Sequence, residues 1–113
     1  ERVVELLLQH GAEINLQSSN GLTALMTAAG NGHERVVDLL LQRGADVNLQ
    51  KSNGRTALMH AAIDGHERVV ELLLQHGAEV NLQSSNGFTA LMIAAHHGHE
   101  RVVELLLQHG AEI

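Results

Sequence analysis

The chain repeats itself every 33 residues, and no other feature narrows the possible folds as much. Gly-His recurs at His33, His66 and His99, and Thr-Ala-Leu-Met begins at Thr23, Thr56 and Thr89. The units are therefore 21–53, 54–86 and a shortened 87–113. Residues 1–20 align with 34–53 and form the second part of a unit whose first part is missing. The units 21–53 and 54–86 agree at 25 of 33 positions, a closeness that means recent duplication or descent from one consensus. The stretch ERVVELLLQHGAEI stands at both residues 1–14 and 100–113 for the same reason. At 113 residues the whole is expected to be a single domain, 1–113.

One unit can be built up from its residues. Thr23 is a good helix N-cap, because its hydroxyl can accept a free backbone N–H. Ala24, Leu25, Met26, Ala28 and Ala29 predict a short helix with a small-residue face that lets a neighbouring backbone come close. Gly32 supplies the positive φ that ends such a helix. His33 then opens a second helix, with Glu34 in its first turn where a negative charge suits the dipole. Val36, Val37, Leu39, Leu40 and Leu41 give that helix a wide apolar face. Arg43 lies in its last turn and Gly44 just beyond it. A short extended piece, Asp46 to Gln50, leads to Asn53-Gly54, which reads as a type I′ turn. The unit is thus two antiparallel helices and a protruding hairpin. Neither helix pair can bury its apolar face alone, so the units must stack into an all-α solenoid.

Composition excludes several alternatives. There is no Trp, Tyr, Pro or Cys and one Phe, Phe88, so the core must be Leu, Val, Ala and Met, with no disulfide and no thiolate chemistry. The absence of Cys fits a reducing compartment, and an intracellular, cytoplasmic location is the expectation. A formal charge of −6 argues against nucleic acid and anionic membrane as partners and mildly favours basic or neutral protein partners. No apolar run approaches the roughly 20 residues of a membrane span.

The pattern Gly-x-Thr-Ala-Leu-Met-x-Ala-Ala-x-x-Gly-His-Glu-Arg-Val-Val-x-Leu-Leu-Leu-Gln-x-Gly-Ala-x-Val-Asn stands at Gly21–Asn48 and again at Gly54–Asn81. It resembles the ankyrin repeat, and the resemblance covers essentially the whole chain. It implies stacked helix-turn-helix units with β-hairpin loops and a concave groove that grips protein partners. The family usually has Thr-Pro-Leu-His where this chain has Thr-Ala-Leu-Met. Ala24, Ala57 and Ala90 therefore forgo a preorganised first turn. Met26, Met59 and Met92 replace a His that would hydrogen-bond the Thr. The resemblance also gives His33, His66 and His99 a structural hydrogen bond between helix and loop. It places Asn15, Asn48 and Asn81 where asparaginyl hydroxylases modify some ankyrin proteins.

No enzyme is expected, and no cofactor. His33-Glu34-Arg35-Val36-Val37 begins like a zincin helix, but Val37 stands where the second His belongs. Gly30-Asn31-Gly32 follows no strand and has Arg35 in place of a third Gly, so it is not a dinucleotide loop. His10, His76 and His109 close the second helices, where a cation complements the dipole, and Arg43 at the equivalent place supports that role. His96, His97 and His99 form a tight cluster without Cys or carboxylate partners at set spacing, and no metal site is expected there. The serines beside Asn-Gly form turns.

Comparing the three units isolates four variable positions: Leu22, Arg55 and Phe88; Thr27, His60 and Ile93; Gly30, Ile63 and His96; Asn31, Asp64 and His97. Lys51 stands where the other units have Ser18 and Ser84. The first position follows the turn and the others lie along or at the end of the short helix. Neutral drift at exposed sites is one reading. The other is a binding groove varied over a fixed frame, because Ile63, Phe88 and Ile93 would be apolar groups on a surface flanked by charge. On that reading Phe88, Ile93, His60, Ile63 and Arg55 contribute most to an unidentified protein partner. A further expectation is head-to-tail self-association, since neither end of the stack carries the polar cap that solenoids need.

Overall fold

A computed structural model describes residues 13–113, so the sequence copy at 1–12, with the expected role of His10, lies outside the described residues. Six helices follow: α1 (Ala24–Gly30), α2 (Glu34–Gln42), α3 (Ala57–Ile63), α4 (Glu67–Gln75), α5 (Ala90–His96) and α6 (Glu100–Gln108). Each unit pairs one seven-residue helix with one nine-residue helix. The units stack along the long axis of a body measuring 43 × 26 × 20 Å.

The caps fall where residue chemistry puts them. The hydroxyls of Thr23, Thr56 and Thr89 accept the backbone N–H of Met26, Met59 and Met92 at 3.2, 3.3 and 3.3 Å. Gly32, Gly65 and Gly98 end the short helices at φ +71°, +70° and +74°. The long helices carry Glu34, Glu67 and Glu100 in their first turns, while His33, His66 and His99 precede them without a side-chain capping bond. At their far ends His76 and His109 donate from Nδ1 to the carbonyls of Leu72 and Leu105, at 3.0 and 2.9 Å. Arg43 occupies the same C-cap place in the 21–53 unit.

Short helices pack on short helices (α1 on α3, α3 on α5) and long on long (α2 on α4, α4 on α6), with each pair also packed internally. The short row approaches more closely, because Ala29, Ala61, Ala62 and Ala94 at its contacts are fully buried and small. A stack whose one row is tighter bends towards that row, so the short helices line its inner side. Leu25, Met26, Leu58, Met59, Val70, Leu73 and Leu106 fill the space between rows at 2% exposure or less.

The loops turn back on themselves as hairpins, and among the described residues none forms a strand ladder. Their tips differ from the expected type I′ turn. That turn needs positive φ at two successive residues, and no described non-glycine residue has one. Instead Gly54 N–H donates to Lys51 O at 2.8 Å, Gly54 itself sits at φ +81°, and Lys51 N–H donates to Arg55 O at 2.9 Å. This is a three-residue loop, a type I turn followed by a glycine in the left-handed region.

Three side-chain ladders join successive units. His66 and His99 donate from Nε2 to Gly30 O and Ile63 O, at 3.1 and 2.8 Å, so each ring reaches the end of the preceding unit's short helix. The resemblance implied a bond between helix and loop; the bond observed runs between units. Asn15, Asn48 and Asn81 accept at Oδ1 from the N–H of Asp46, Glu79 and Glu112, at 2.7, 2.8 and 2.9 Å. Gln17 and Gln50 donate from Nε2 to Gln50 O and Gln83 O, at 3.3 and 3.1 Å. The loops also bond directly, Ser52 N–H to Asn20 O and Ser85 N–H to Asn53 O, both at 2.8 Å.

Candidate functional site

The variable positions converge on the inner side, where α1, α3 and α5 and the loop residues before them lie side by side. Two successive clefts share one frame. Between the first and second units the corresponding positions carry mostly small and polar groups. Thr27 and Asn31 are exposed there and turn back on their own helix, Thr27 Oγ1 and Asn31 Nδ2 donating to Thr23 O and Thr27 O at 3.3 and 3.0 Å. Gly30 offers no side chain, and Leu22 is half-buried against the core.

The cleft between the second and third units is different. Ile63, Phe88, Met92 and Ile93 enclose an apolar pocket of about 340 Å³, completed by Arg55, His96 and His97. Phe88 is 49% exposed and Met92 45%, both large apolar side chains open to the pocket. The structure corrects one expectation: Ile93 is not a surface residue but is 8% exposed. It lies on the side of α5 that packs against α3, and only its edge reaches the pocket. Met92 belongs to the pocket although its sequence position marks it as frame. Its counterparts Met26 and Met59 are each 1% exposed.

His60 is not part of the pocket lining; it is half-buried, its Cβ 3.6 Å from where a side chain on Gly30 would begin. Its Nε2 is shielded from solvent and has no hydrogen-bond partner among the described residues. Burial, and then the positive charges of Lys51 and Arg55, lower its pKa from 6.5 to about 4. Asp64, at the end of α3, stands 4.0 Å from His66 Nε2. Among the described residues neither Lys51 nor Arg55 has a carboxylate within 4.0 Å.

Charge is segregated between the two sides. Each long helix carries two carboxylates and one arginine (Glu34, Asp38 and Arg35; Glu67, Glu71 and Arg68; Glu100, Glu104 and Arg101), and Asp46, Glu79 and Glu112 lie in the loops, whereas the short helices, their caps and the hairpin tips carry Asp64 as their one carboxylate among the described residues, beside Lys51 and Arg55. Lys51 and Arg55 against Asp64 leave the inner side of the second unit with a small positive excess on a chain of net charge −6.

The histidine cluster does not converge on a point. The His96 and His97 rings meet edge to face at 5.0 Å, and His97 and His99 lie stacked at 6.1 Å. His99 is engaged with Ile63 O. Among the described residues no group of three or more His, Cys, Asp or Glu is placed to hold a metal ion. Asn15, Asn48 and Asn81 lie on the loop side, away from the pocket, with their amides committed between units. The Gln17–Gln50–Gln83 ladder is a structural feature whose signal was present in the sequence, as strict recurrence of a polar residue in a loop.

Stacked helix pairs with turned loops and an inner groove define a helical-repeat solenoid. The family model for ankyrin repeats (3 copies) matches residues 1–84 and 44–113, and the chain belongs to that family. A search of curated proteins found no match. Ankyrin repeats are in general protein–protein interaction modules and typically not enzymes. No described helix is long and apolar enough to cross a membrane.

Proposed function

We propose that the chain is a protein-binding scaffold that grips its partner in the groove between the second and third units and at the adjoining hairpin tips. The observation that carries this reading is the pocket itself. Phe88 leaves nearly half its surface in water beside Ile63, a cost that a buried partner side chain would recover at roughly 25 cal/mol per Å². Apolar anchors in a pocket ringed by polar groups are where interface energy concentrates. Leu22, Thr27 and Asn31 extend the same groove, with Arg55, His60, Asp64, His96 and His97 along its polar margin. A cytoplasmic setting accords with a chain that has no cysteine, and it belongs to this proposal.

The test is affinity capture with quantitative mass spectrometry, comparing the chain with a Phe88→Ala/Met92→Ala variant. Both positions are exposed, so the variant is expected to melt within a few degrees of the parent. A partner should be lost by about tenfold or more. Equal retention by the folded variant rules out the groove.

A second reading has its own observation. Met92 and Leu107 are 45% and 41% exposed, while their counterparts Met59 and Leu74 are 1% and 7% exposed. That open face would suit the end of another stack, giving head-to-tail self-association. Light scattering over a concentration series decides it: a constant monomer mass excludes the assembly. Hydroxylation of Asn15, Asn48 or Asn81 is proposed from the family resemblance alone.

A further inference from the structure

The pocket between the second and third units has a chemical bias. Its apolar part, Phe88, Met92 and the edges of Ile63 and Ile93, accepts one large side chain in about 340 Å³. Beside it stand two cations, Lys51 and Arg55, with no carboxylate within 4.0 Å among the described residues. Both come from one loop: Lys51 N–H bonds to Arg55 O at 2.9 Å, which holds the two residues on facing limbs of the same hairpin. Arg55 is itself part of the pocket lining. Neither position requires a cation for folding. The unit 21–53 has Leu22 where Arg55 stands, the third has Phe88, and Ser18 and Ser84 stand where Lys51 does. Asp64, the one carboxylate on the short-helix side, lies 4.0 Å from His66 Nε2 and within 4.0 Å of neither cation, so two cations beside an apolar pocket form a surface that a negative group on a partner would complement.

Resting on the reading that this groove binds protein, we propose that its occupant is a peptide segment in which one large apolar side chain fills the Phe88–Met92 pocket and an Asp or Glu within three residues of it pairs with Arg55 and Lys51. The apolar anchor supplies most of the affinity and the carboxylate fixes the direction in which the segment lies. An arginine suits this role, because its planar fork takes a carboxylate in two parallel hydrogen bonds. A nucleic acid is a poorer match: two cations neutralise few phosphates, and the net charge of −6 repels the rest of the strand.

The experiment is selection of a random twelve-residue phage-displayed peptide library on the chain, followed by binding of the enriched peptide in synthetic form. Enriched sequences should carry a large apolar residue with Asp or Glu within three positions. The synthetic peptide should lose about tenfold in affinity on Phe88→Ala and about fivefold or more on Arg55→Glu. Arg55→Leu, which installs the residue of the 21–53 unit, checks that the loss follows the charge and not the fold. Its effect should be smaller than that of Arg55→Glu and should shrink as salt is raised. Peptides that depend on Phe88 but carry neutral or basic flanks overturn the acidic segment and leave the groove standing. Binding of a labelled single-stranded oligonucleotide that Arg55→Glu abolishes also overturns it. If no enriched peptide responds to Phe88→Ala, the groove reading falls with it.

Discussion

The second and third units carry the same frame residues, yet those residues have different surroundings. Met59 is 1% exposed and Met92 45%; Ala62 is fully buried and Ala95 exposed. Gly65 and Gly98 both end a short helix in the left-handed region, at φ +70° and +74°. A Cβ on Gly65 would lie 2.6 Å from His99 Nδ1, whereas a Cβ on Gly98 would meet nothing within 4 Å. The difference is the neighbour. The second unit is covered on its onward face by the third, and the third has no such cover among the described residues. In a solenoid, residue type sets what a position can do, and the stacked neighbour decides whether it does so.

Substitution at the two glycines breaks this comparison most directly. Gly98→Ala should cost about 1 kcal/mol, the penalty for placing a Cβ in the left-handed region. Gly65→Ala carries the same penalty, and it also pushes the His99 ring off Ile63 O, giving up that hydrogen bond and its packing. A total near 3 kcal/mol is expected, read from urea denaturation at fixed slope. Equal losses at the two glycines would mean that the inter-unit ring contact contributes nothing.

Most of the fold was legible in the sequence because its causes are local and repeated three times. Thr23 before an Ala-Leu-Met run, Gly32 after it and the apolar stripe from Val36 to Leu41 each carry a conformational preference of their own. The inter-unit ladders were less legible. His66 and Asn48 act through partners 36 and 31 residues away, Gly30 and Glu79, which periodicity alone does not pair. In the groove, comparing units located the variable positions but not their burial. Ile93 reads as a surface anchor because Thr and His fill its place elsewhere. The approach of α5 to α3 covers it instead. Met92 was hidden by the opposite error, since an invariant methionine reads as core and its exposure depends on what lies beyond it. At the hairpin tip Asn-Gly favours two left-handed residues in isolation, whereas here Gly54 alone is left-handed and Asn53 is not. A Cβ on Gly54 would lie 2.7 Å from Ser85 N.

The smallest effect sharpens the comparison at a single position, where the three units place Thr27, His60 and Ile93. Only His60 can take a proton, and it does so reluctantly: burial, helped by Lys51 and Arg55, lowers its pKa to about 4 in the folded chain. In the unfolded chain a histidine titrates near 6.5. Between those values the unfolded state binds the proton and the folded state does not, so stability rises with pH across that window. The contribution is complete above about pH 6.5, is lost as pH falls towards 4, and changes no further below that. With solvent screening of this half-buried ring allowed for, it is on the order of 1 kcal/mol. Other groups titrate in the same range, so the informative quantity is the difference between the parent and His60→Thr, the residue of the 21–53 unit. That difference should shift in favour of the variant by about 1 kcal/mol as pH is lowered from 7 to 4. It should do so because threonine removes both the unpartnered ring nitrogen and the proton-binding site from beneath two cations. A difference that stays constant over the window would mean that the ring is hydrated in solution, and that the two clefts differ in shape and apolarity but not in charge response.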